Sequence, residues 1–94
     1  RFYEVFVVDP AFKPIGAVPL STLLKTKRET TIDAIMNEDL TVIPVSMDQE
    51  DVAYKFEQYN LISAPVVDEA ERLVGMITVD DVVEMVVQVN GKVR

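Results

Sequence analysis

Two segments of this chain resemble each other, and this internal repeat limits the possible folds more than any other property of the sequence. The run VVDPAFKPIGAVPLSTLL, at residues 7–24, aligns without a gap with VVDEAERLVGMITVDDVV, at residues 66–83. The offset is 59 residues, and both valines, the aspartate, the alanine and the glycine are identical. Each copy has the pattern of a strand, a polar turn, a second strand and a short helix. We therefore predict the same strand–turn–strand–helix unit twice.

A further strand and a longer helix are predicted in front of the second copy. Leu40–Val45 is apolar and rich in β-branched residues, and Pro44 confines such a strand to an edge or an end. Ser46 and Gln49 have the spacing of a capping box, so a helix is expected to begin there and to continue to about Tyr59.

Smaller signals complete the predicted order of elements. Thr31 can cap a short helix through Met36, and Asn60 is a stop signal for the long helix. The last helix is predicted over Val79–Val87. Apolar stripes at helical spacing are expected on the long helix (Val52, Ala53 and Phe56) and on the last helix (Val82, Val83 and Val86).

The repeat divides the chain into three parts. Residues 1–30 are the back half of a first repeat with a polar linker, and residues 31–87 are a complete second repeat. Residues 88–94 are a tail that carries the turn signal Asn90-Gly91. Because the first copy lacks the strand and helix that precede the second, we expect Arg1 to lie inside a longer natural protein.

The order of the predicted elements, with two short strings, resembles a CBS domain. The strings are Pro65-Val66-Val67-Asp68 and Gly75-Met76-Ile77-Thr78-Val79-Asp80-Asp81. The resemblance implies an α/β CBS-domain fold, with small mixed sheets and helices on one face. It covers one complete strand–helix–strand–strand–helix repeat plus the back half of a second. CBS domains occur as tandem pairs that are often dimeric, so a homodimer is expected, especially where the apolar face of the first hairpin is left uncovered.

A narrower resemblance is to the cytosolic CBS region of the MgtE family of magnesium transporters. It is carried by Ile35-Met36-Asn37, by Asp48-Gln49-Glu50-Asp51-Val52-Ala53, and by Asp68-Glu69 through Val83. Two features depart from the pattern. Pro19 and Thr22 replace the threonine and aspartate in the first copy, and the tail differs from the acid-rich helix that links the module to the membrane in that family.

Composition excludes several classes of function. There are 9 Lys and Arg against 16 Asp and Glu, a formal net charge of -7, so a nucleic-acid partner is not expected. The chain has no Cys and no His, which removes thiol chemistry and the usual imidazole base and zinc ligand. Gly totals only 3, and no phosphate-binding glycine loop is present. We therefore predict that the chain is not an enzyme.

The MgtE resemblance implies a metal site for Mg²⁺ at Asp48, Glu50 and Asp81. Magnesium prefers oxygen ligands and keeps several waters, so one or two carboxylates for each ion suffice. Residues two apart on a helix do not face one another, so Asp48 and Glu50 would share an ion only with acids from another element or subunit. Helix-dipole and solubility roles are the open alternative. Asn60 stands where the family can have an acid, and Glu57 is a candidate substitute.

The CBS resemblance also implies an adenine-nucleotide site, with ATP or AMP as the ligand. Thr78 and Asp81 would bind the phosphate and ribose, although an N-cap and a first-turn acid at those positions need no ligand. The base would lie among apolar side chains that are equally explained as core: Ile43, Leu61, Ala64 and Pro65.

Three functions follow as hypotheses. The first is a cytosolic regulatory module of a magnesium transporter, which senses Mg²⁺ through interdomain carboxylates and gates the transporter. Its partners would be a second copy and the transmembrane portion of the parent protein, at the cytoplasmic face of the cell membrane. The second is an adenine-nucleotide-binding CBS module that regulates another enzyme or channel. The third is a structural dimerisation module.

Overall fold

The repeat predicted from the sequence is present as two hairpins, each followed by a helix. The computed structural model describes the backbone of residues 3–90 and the side chains of residues 3–84. In chain order the elements are β1 (Glu4–Val8), β2 (Pro14–Pro19), α1 (Leu20–Lys25), a 3₁₀ turn (Ile32–Ala34), β3 (Ile43–Pro44), α2 (Gln49–Gln58), β4 (Ser63–Val67), β5 (Leu73–Thr78) and α3 (Val79–Asn90).

The two copies share their strand register as well as their order. β1 pairs antiparallel with β2, and β4 pairs antiparallel with β5. The register shifts between Val7 and Val8 in the first hairpin and between Val66 and Val67 in the second, positions that are 59 residues apart. Helices α1 and α3 begin at residues 20 and 79, which is the same offset. The predicted strand–turn–strand–helix unit is therefore confirmed in both copies.

The aspartate shared by the two copies organises the turn of each hairpin. Asp9 Oδ1 accepts hydrogen bonds of 2.9 Å from the backbone N–H groups two and four residues later, and Asp68 Oδ1 does the same. Each turn also places one residue in the left-handed region, Phe12 at φ 67° and Glu71 at φ 65°. The backbone N–H and side chain of Arg72 hold the pKa of the Asp68 carboxyl below its usual range.

The second copy carries the front half that the first copy lacks. β3 pairs in parallel with β4, so the second sheet has the order β3-β4-β5 and β3 lies at its edge, as Pro44 predicts. Helices α2 and α3 pack together against this sheet. The buried members of the core cluster come from β3, α2, β4 and α3, and Ile77 of β5 packs against them; the buried members are Ile43, Val52, Phe56, Ala64 and Val82.

The helix stripes are confirmed on α2 and only partly on α3. Val52 and Phe56 are buried, and Ala53 packs against the same cluster. On α3, Val82 is 6% exposed but Val83 is 56% exposed, so the prediction for Val83 is wrong. Successive residues on a helix point about 100° apart, and on α3 this turns Val82 toward the core and Val83 toward solvent. The side chain of residue 86 lies outside the described part.

Three predicted elements between residues 31 and 59 differ from the observed ones. The strand expected at Leu40–Val45 is reduced to Ile43–Pro44, and a turn follows it at once, closed by a 2.9 Å bond from Met47 N to Pro44 O. The helix therefore begins at Gln49 with Asp48 as its N-cap, and the capping box at Ser46 is wrong. The helix predicted through residue 36 is a 3₁₀ turn, in which the Thr31 hydroxyl donates to the Asp33 carboxylate instead of capping the backbone.

The predicted end of α2 matches the structure more closely than the predicted end of α3 does. Asn60 adopts a left-handed φ of 53° and stops α2, as expected. Its N–H donates to Glu57 O, and Leu61 N donates to Phe56 O at 2.9 Å, the two bonds of a Schellman motif. α3 continues to Asn90, three residues beyond the predicted end at Val87, and the turn expected at residues 90–91 falls partly outside the described residues.

The two copies join through backbone contacts and leave the molecule elongated. Leu73 N in β5 donates to Phe12 O at 2.8 Å, and the linker residue Asn37 forms a bridge with Ala17 in β2. The radius of gyration is 15.0 Å, against about 12–13 Å for a compact domain of this length. Apolar side chains of the first copy remain exposed, including Tyr3 at 67% and Leu24 at 77%.

Candidate functional site

Thr78 and Asp81 form a capping box at the start of α3. Asp81 Oδ2 accepts hydrogen bonds from Thr78 N at 3.0 Å and from Thr78 Oγ1 at 3.1 Å. In return, Asp81 N donates to Thr78 Oγ1 at 3.3 Å. Both residues are exposed. The box satisfies orphan donors at the helix start and places a negative charge where the helix dipole favours one. Asp81 Oδ1 takes no part in the box.

A cleft opens beside this capping box, where the start of the first copy meets the second. It has a volume of about 360 Å³, within the range of small-molecule sites. Tyr3 and Glu4 of the first copy face Ile62 and Ser63, which are their equivalents at the offset of 59. We call this the inter-repeat cleft, and its lining consists of Tyr3, Glu4, Ile62, Ser63, Met76, Thr78, Val79 and Asp80.

The side chains predicted to hold an adenine ring lie in or against the core. Ile43 and Ala64 are 3% and 1% exposed and belong to the core cluster. Pro65 is fully buried, and Leu61 is half-buried against the cluster. Of the six residues predicted for the nucleotide site, the structure places Thr78 on the inter-repeat cleft and Asp81 in the adjoining capping box.

Sequence reasoning missed seven of the eight cleft residues that the structure brings together, including Val79 and Asp80 beside Thr78. Met76 could have been identified from the sequence, because side chains two apart on a strand share a face and Thr78 was already a candidate. Ile62 and Ser63 were one and two positions away from the predicted Leu61 and Ala64. Tyr3 and Glu4 carry no local signal of their own, and only the repeat alignment relates them to the second copy.

The predicted metal ligands are exposed carboxylates on two different helices. Asp48 is the N-cap of α2, Glu50 lies in its first turn, and Asp81 lies in the first turn of α3. Among the residues that the structure describes, no group of three or more acidic side chains is close enough to hold a metal ion. Their oxygens are of the type that Mg²⁺ prefers, but one copy of the chain does not gather them.

Glu57, the candidate substitute acid, lies near the opposite end of α2. It is seven residues after Glu50 on α2, about 10 Å along the axis. It borders an apolar groove of about 430 Å³ between α2 and α3 that also includes Asn60 and the exposed Val83. Glu57 and Glu50 therefore lie at opposite ends of the helix.

Comparison with known proteins identifies the class to which this fold and cleft belong. A family model for the CBS domain matches residues 32–88, and the chain belongs to the CBS domain family. Within that family it is similar to magnesium transporters named MgtE. It is 36% identical to the MgtE of Enterococcus faecalis over 84 residues and 37% identical to that of Thermus thermophilus over 83 residues. These matches cover 89% and 88% of this chain but only 18% of each transporter.

Solved structures agree with the sequence comparison and confirm the CBS-domain fold. The soluble part of a magnesium transporter superposes with a TM-score of 0.85 at 34% identity, covering 94% of this chain and 34% of that chain. The cytosolic domain of the Mg²⁺ channel MgtE in complex with ATP gives 0.83 at 36% identity, covering 90% and 34%. A CBS domain pair in complex with 5′-methylthioadenosine and S-adenosyl-L-methionine gives 0.72 at 27% identity, covering 95% and 71%.

One further property bears on the comparison with transporters. Among the described residues, no helix is both long enough and apolar enough to span a bilayer.

Proposed function

We propose that the chain is a regulatory module of an MgtE-like magnesium transporter, placed at the cytoplasmic face of the membrane and not itself an enzyme. The observation that supports this most is similarity over nine-tenths of the chain to the soluble or cytosolic parts of such proteins, in sequence and in fold. The module spans about a fifth of the transporters it matches, so the transmembrane portion of the parent protein is its proposed partner.

The proposed signal is Mg²⁺ bound between this module and a neighbouring domain or subunit. Asp48 at the N-cap of α2 and Glu50 in its first turn are exposed to solvent, and Asp81 is exposed in the first turn of α3. Because one copy gathers no metal cluster within its described residues, the remaining ligands must come from another surface. Without the ion, facing acids repel one another, and with it the facing surfaces close. This is a two-state element biased by a ligand.

Magnesium binding to the complete cytosolic region of the parent protein tests this proposal. We expect calorimetry to detect binding at millimolar or lower Mg²⁺, and the double variant Asp48→Asn/Glu50→Gln to weaken it severalfold. A matched control is Glu69→Gln/Glu71→Gln, which removes the same charge from the exposed turn between β4 and β5. Equal affinities of the α2 variant and the control would reject these two residues as ligands.

A second function, adenine-nucleotide binding by a CBS module that regulates another enzyme or channel, is supported by the inter-repeat cleft. Related proteins were crystallised with ATP and with 5′-methylthioadenosine and S-adenosyl-L-methionine. Here Ile62 and Met76 would contact the base, Ser63 and Thr78 of the lining offer hydroxyl groups to a ribose, and Asp81 offers a carboxylate from the adjoining capping box. Thr78 and Asp81 have no counterpart in the first copy, which carries Pro19 and Thr22, so one site per chain is proposed.

Calorimetry with adenine nucleosides and nucleotides tests this second function. Asp81→Ala should abolish binding if its carboxylate holds the ribose. The control Asp51→Ala removes an exposed acid from the first turn of α2 and should leave binding unchanged. If the wild-type chain binds none of the adenine nucleosides or nucleotides, this function is excluded.

Association into a homodimer is proposed as well. Exposed apolar side chains on the first copy and the elongated shape leave surface that a second copy can bury. Sedimentation at tens of micromolar should give twice the monomer mass of 10.6 kDa, and a monomer would refute the proposal.

A further inference from the structure

The turns of the two hairpins are built alike, but their contacts with the opposite copy differ. Leu73 N, at the start of β5, donates to Phe12 O in the turn of the first copy at 2.8 Å. At the offset of 59 residues, Phe12 corresponds to Glu71 and Leu73 corresponds to Pro14. The equivalent bond in the other direction would run from the N–H of residue 14 to Glu71 O. Proline has no N–H to donate, so the chemistry of Pro14 removes this bond.

The reciprocal bond is expected because the four residues occupy equivalent positions in the two copies. β2 begins at Pro14 and β5 begins at Leu73. Phe12 and Glu71 share a left-handed backbone, with φ of 67° and 65°. The starts of β1 and β4 also face one another across the inter-repeat cleft, as they do in copies related by a two-fold axis. Such an axis would make each contact between a turn and the opposite strand occur twice.

A second cleft is present at the position of the missing bond. It has a volume of about 360 Å³, and both Pro14 and Glu71 line it. The exposed side chains of Lys13 from the first copy and Glu69 from the second also belong to the lining. We call it the turn cleft. One contact between a turn and a strand is therefore closed by a hydrogen bond, whereas its equivalent contains a cleft.

We propose that the joint between the two copies is a one-sided hinge, fixed at the bond from Leu73 to Phe12 and free to open at the turn cleft. A single hydrogen bond permits rotation about itself, whereas two bonds on either side of an axis would lock the copies together. The hinge residues lie at the ends of elements, as is usual for such joints. Rotation changes the width of the turn cleft, so a ligand or a partner domain that prefers one width can bias the module.

The linker does not prevent this rotation. Asn37 forms a bridge with Ala17 and can move with β2 and the first copy. Residues 38–42, between this bridge and β3, contain no helix or strand. The segment that connects the bridge to the second copy can therefore absorb a change in backbone angles.

Residual dipolar couplings of the backbone N–H groups test the hinge in the wild-type chain. Parts of a molecule that move relative to one another align to different degrees, whereas rigidly joined parts share one alignment. We expect β1 and β2 to align about 20–40% less strongly than β4, β5 and α2, because motion between the copies averages the couplings of the smaller part. One common alignment for both copies would overturn the hinge.

Pro14→Val tests the cause, because valine supplies the missing N–H and favours a strand. We expect the amide of residue 14 in this variant to exchange with solvent at least about tenfold more slowly than in an unstructured peptide. The two copies should then share one alignment. The control Pro10→Val replaces an exposed proline of the same turn, outside the turn cleft, and should leave the two alignments unequal.

Fast exchange of the amide at residue 14, together with alignments that stay unequal, would show that no reciprocal bond forms and would reject Pro14 as the cause of the hinge. If Pro14→Val does not fold, Pro14→Ala supplies the same N–H with a smaller side chain. The measurements need neither Mg²⁺ nor a nucleotide, so the hinge is tested separately from both proposed functions.

Discussion

Gly16 and Gly75 occupy equivalent positions in the two copies, yet they should respond oppositely to the same substitution. A Cβ atom at Gly16 would lie 2.5 Å from Met36 Sδ, 2.8 Å from Met36 Cγ and 3.1 Å from Met36 Cβ. A Cβ atom at Gly75 would meet no other atom within 4 Å. Neither glycine has a positive φ, so alanine is compatible with the backbone at both positions. The difference between the effects of the two substitutions therefore reports side-chain packing.

The magnitude follows from how far Met36 can move. Its Sδ is the end of a flexible side chain and can rotate away, but its Cβ is fixed to a backbone held by the Asn37–Ala17 bridge. Gly16→Ala should therefore lower the free energy of unfolding by about 1–3 kcal/mol, as overpacking does. Gly75→Ala should raise it by up to about 1 kcal/mol, because alanine restricts the unfolded chain.

Urea denaturation of the two variants and the wild type measures both effects. We expect the two urea midpoints to shift in opposite directions. In thermal denaturation, the melting temperatures of the two variants should differ by at least about 5 °C. Shortening residue 36 should relieve the clash, so Met36→Ala should cost less in the Gly16→Ala background than alone. Equal effects of the two glycine substitutions would refute the close approach between β2 and residue 36.

Three further substitutions test local features of the fold. Thr78→Val removes the capping box of α3 and should cost about 1 kcal/mol in urea denaturation; an unchanged midpoint would show that the box adds nothing. The pKa of Asp68 is lowered by folding, so its charge stabilises the protein above the ordinary carboxyl pKa and this contribution is lost as acid protonates it. Asp68→Asn should therefore flatten the fall in the free energy of unfolding below about pH 4. An unchanged pH dependence in the variant would show that Asp68 is not its source. Asn60→Val, at a left-handed position, should cost about 1–3 kcal/mol, whereas Asn60→Gly should be nearly neutral; equal costs would show that the conformation of the helix end is unimportant.

The sequence predicted several features that depend on short-range chemistry, although the capping signals at Ser46 and Thr31 were wrong. The repeated aspartates, the two hairpins and the stop at Asn60 all depend on residues within a few positions of one another, and all are found. The start of the last helix at Val79 was also predicted. Thr78 and Asp81 were recognised as a pair, and the alternative that needs no ligand, a cap with a first-turn acid, is the arrangement observed.

The errors in the helix stripe and in the cleft lining arose where tertiary packing chooses between two adjacent residues. Val82 and Val83 are the same residue type, and only the position of α2 decides which is buried. Similarly, Ala64 lies in the core while the neighbouring Ser63 lines the inter-repeat cleft. Tyr3 and Glu4 reach that cleft only because the two copies face each other. No local pattern encodes such a long-range choice.

The central claim, a module that reports Mg²⁺ to a transporter, is tested most directly by small-angle scattering of the complete cytosolic region of the parent protein. The radius of gyration should fall when Mg²⁺ is raised from zero to millimolar concentration, because the ion brings acidic surfaces such as those at Asp48 and Glu50 together. Monovalent salt of equal ionic strength should not reproduce the change. A radius of gyration that is indifferent to Mg²⁺ would contradict the claim.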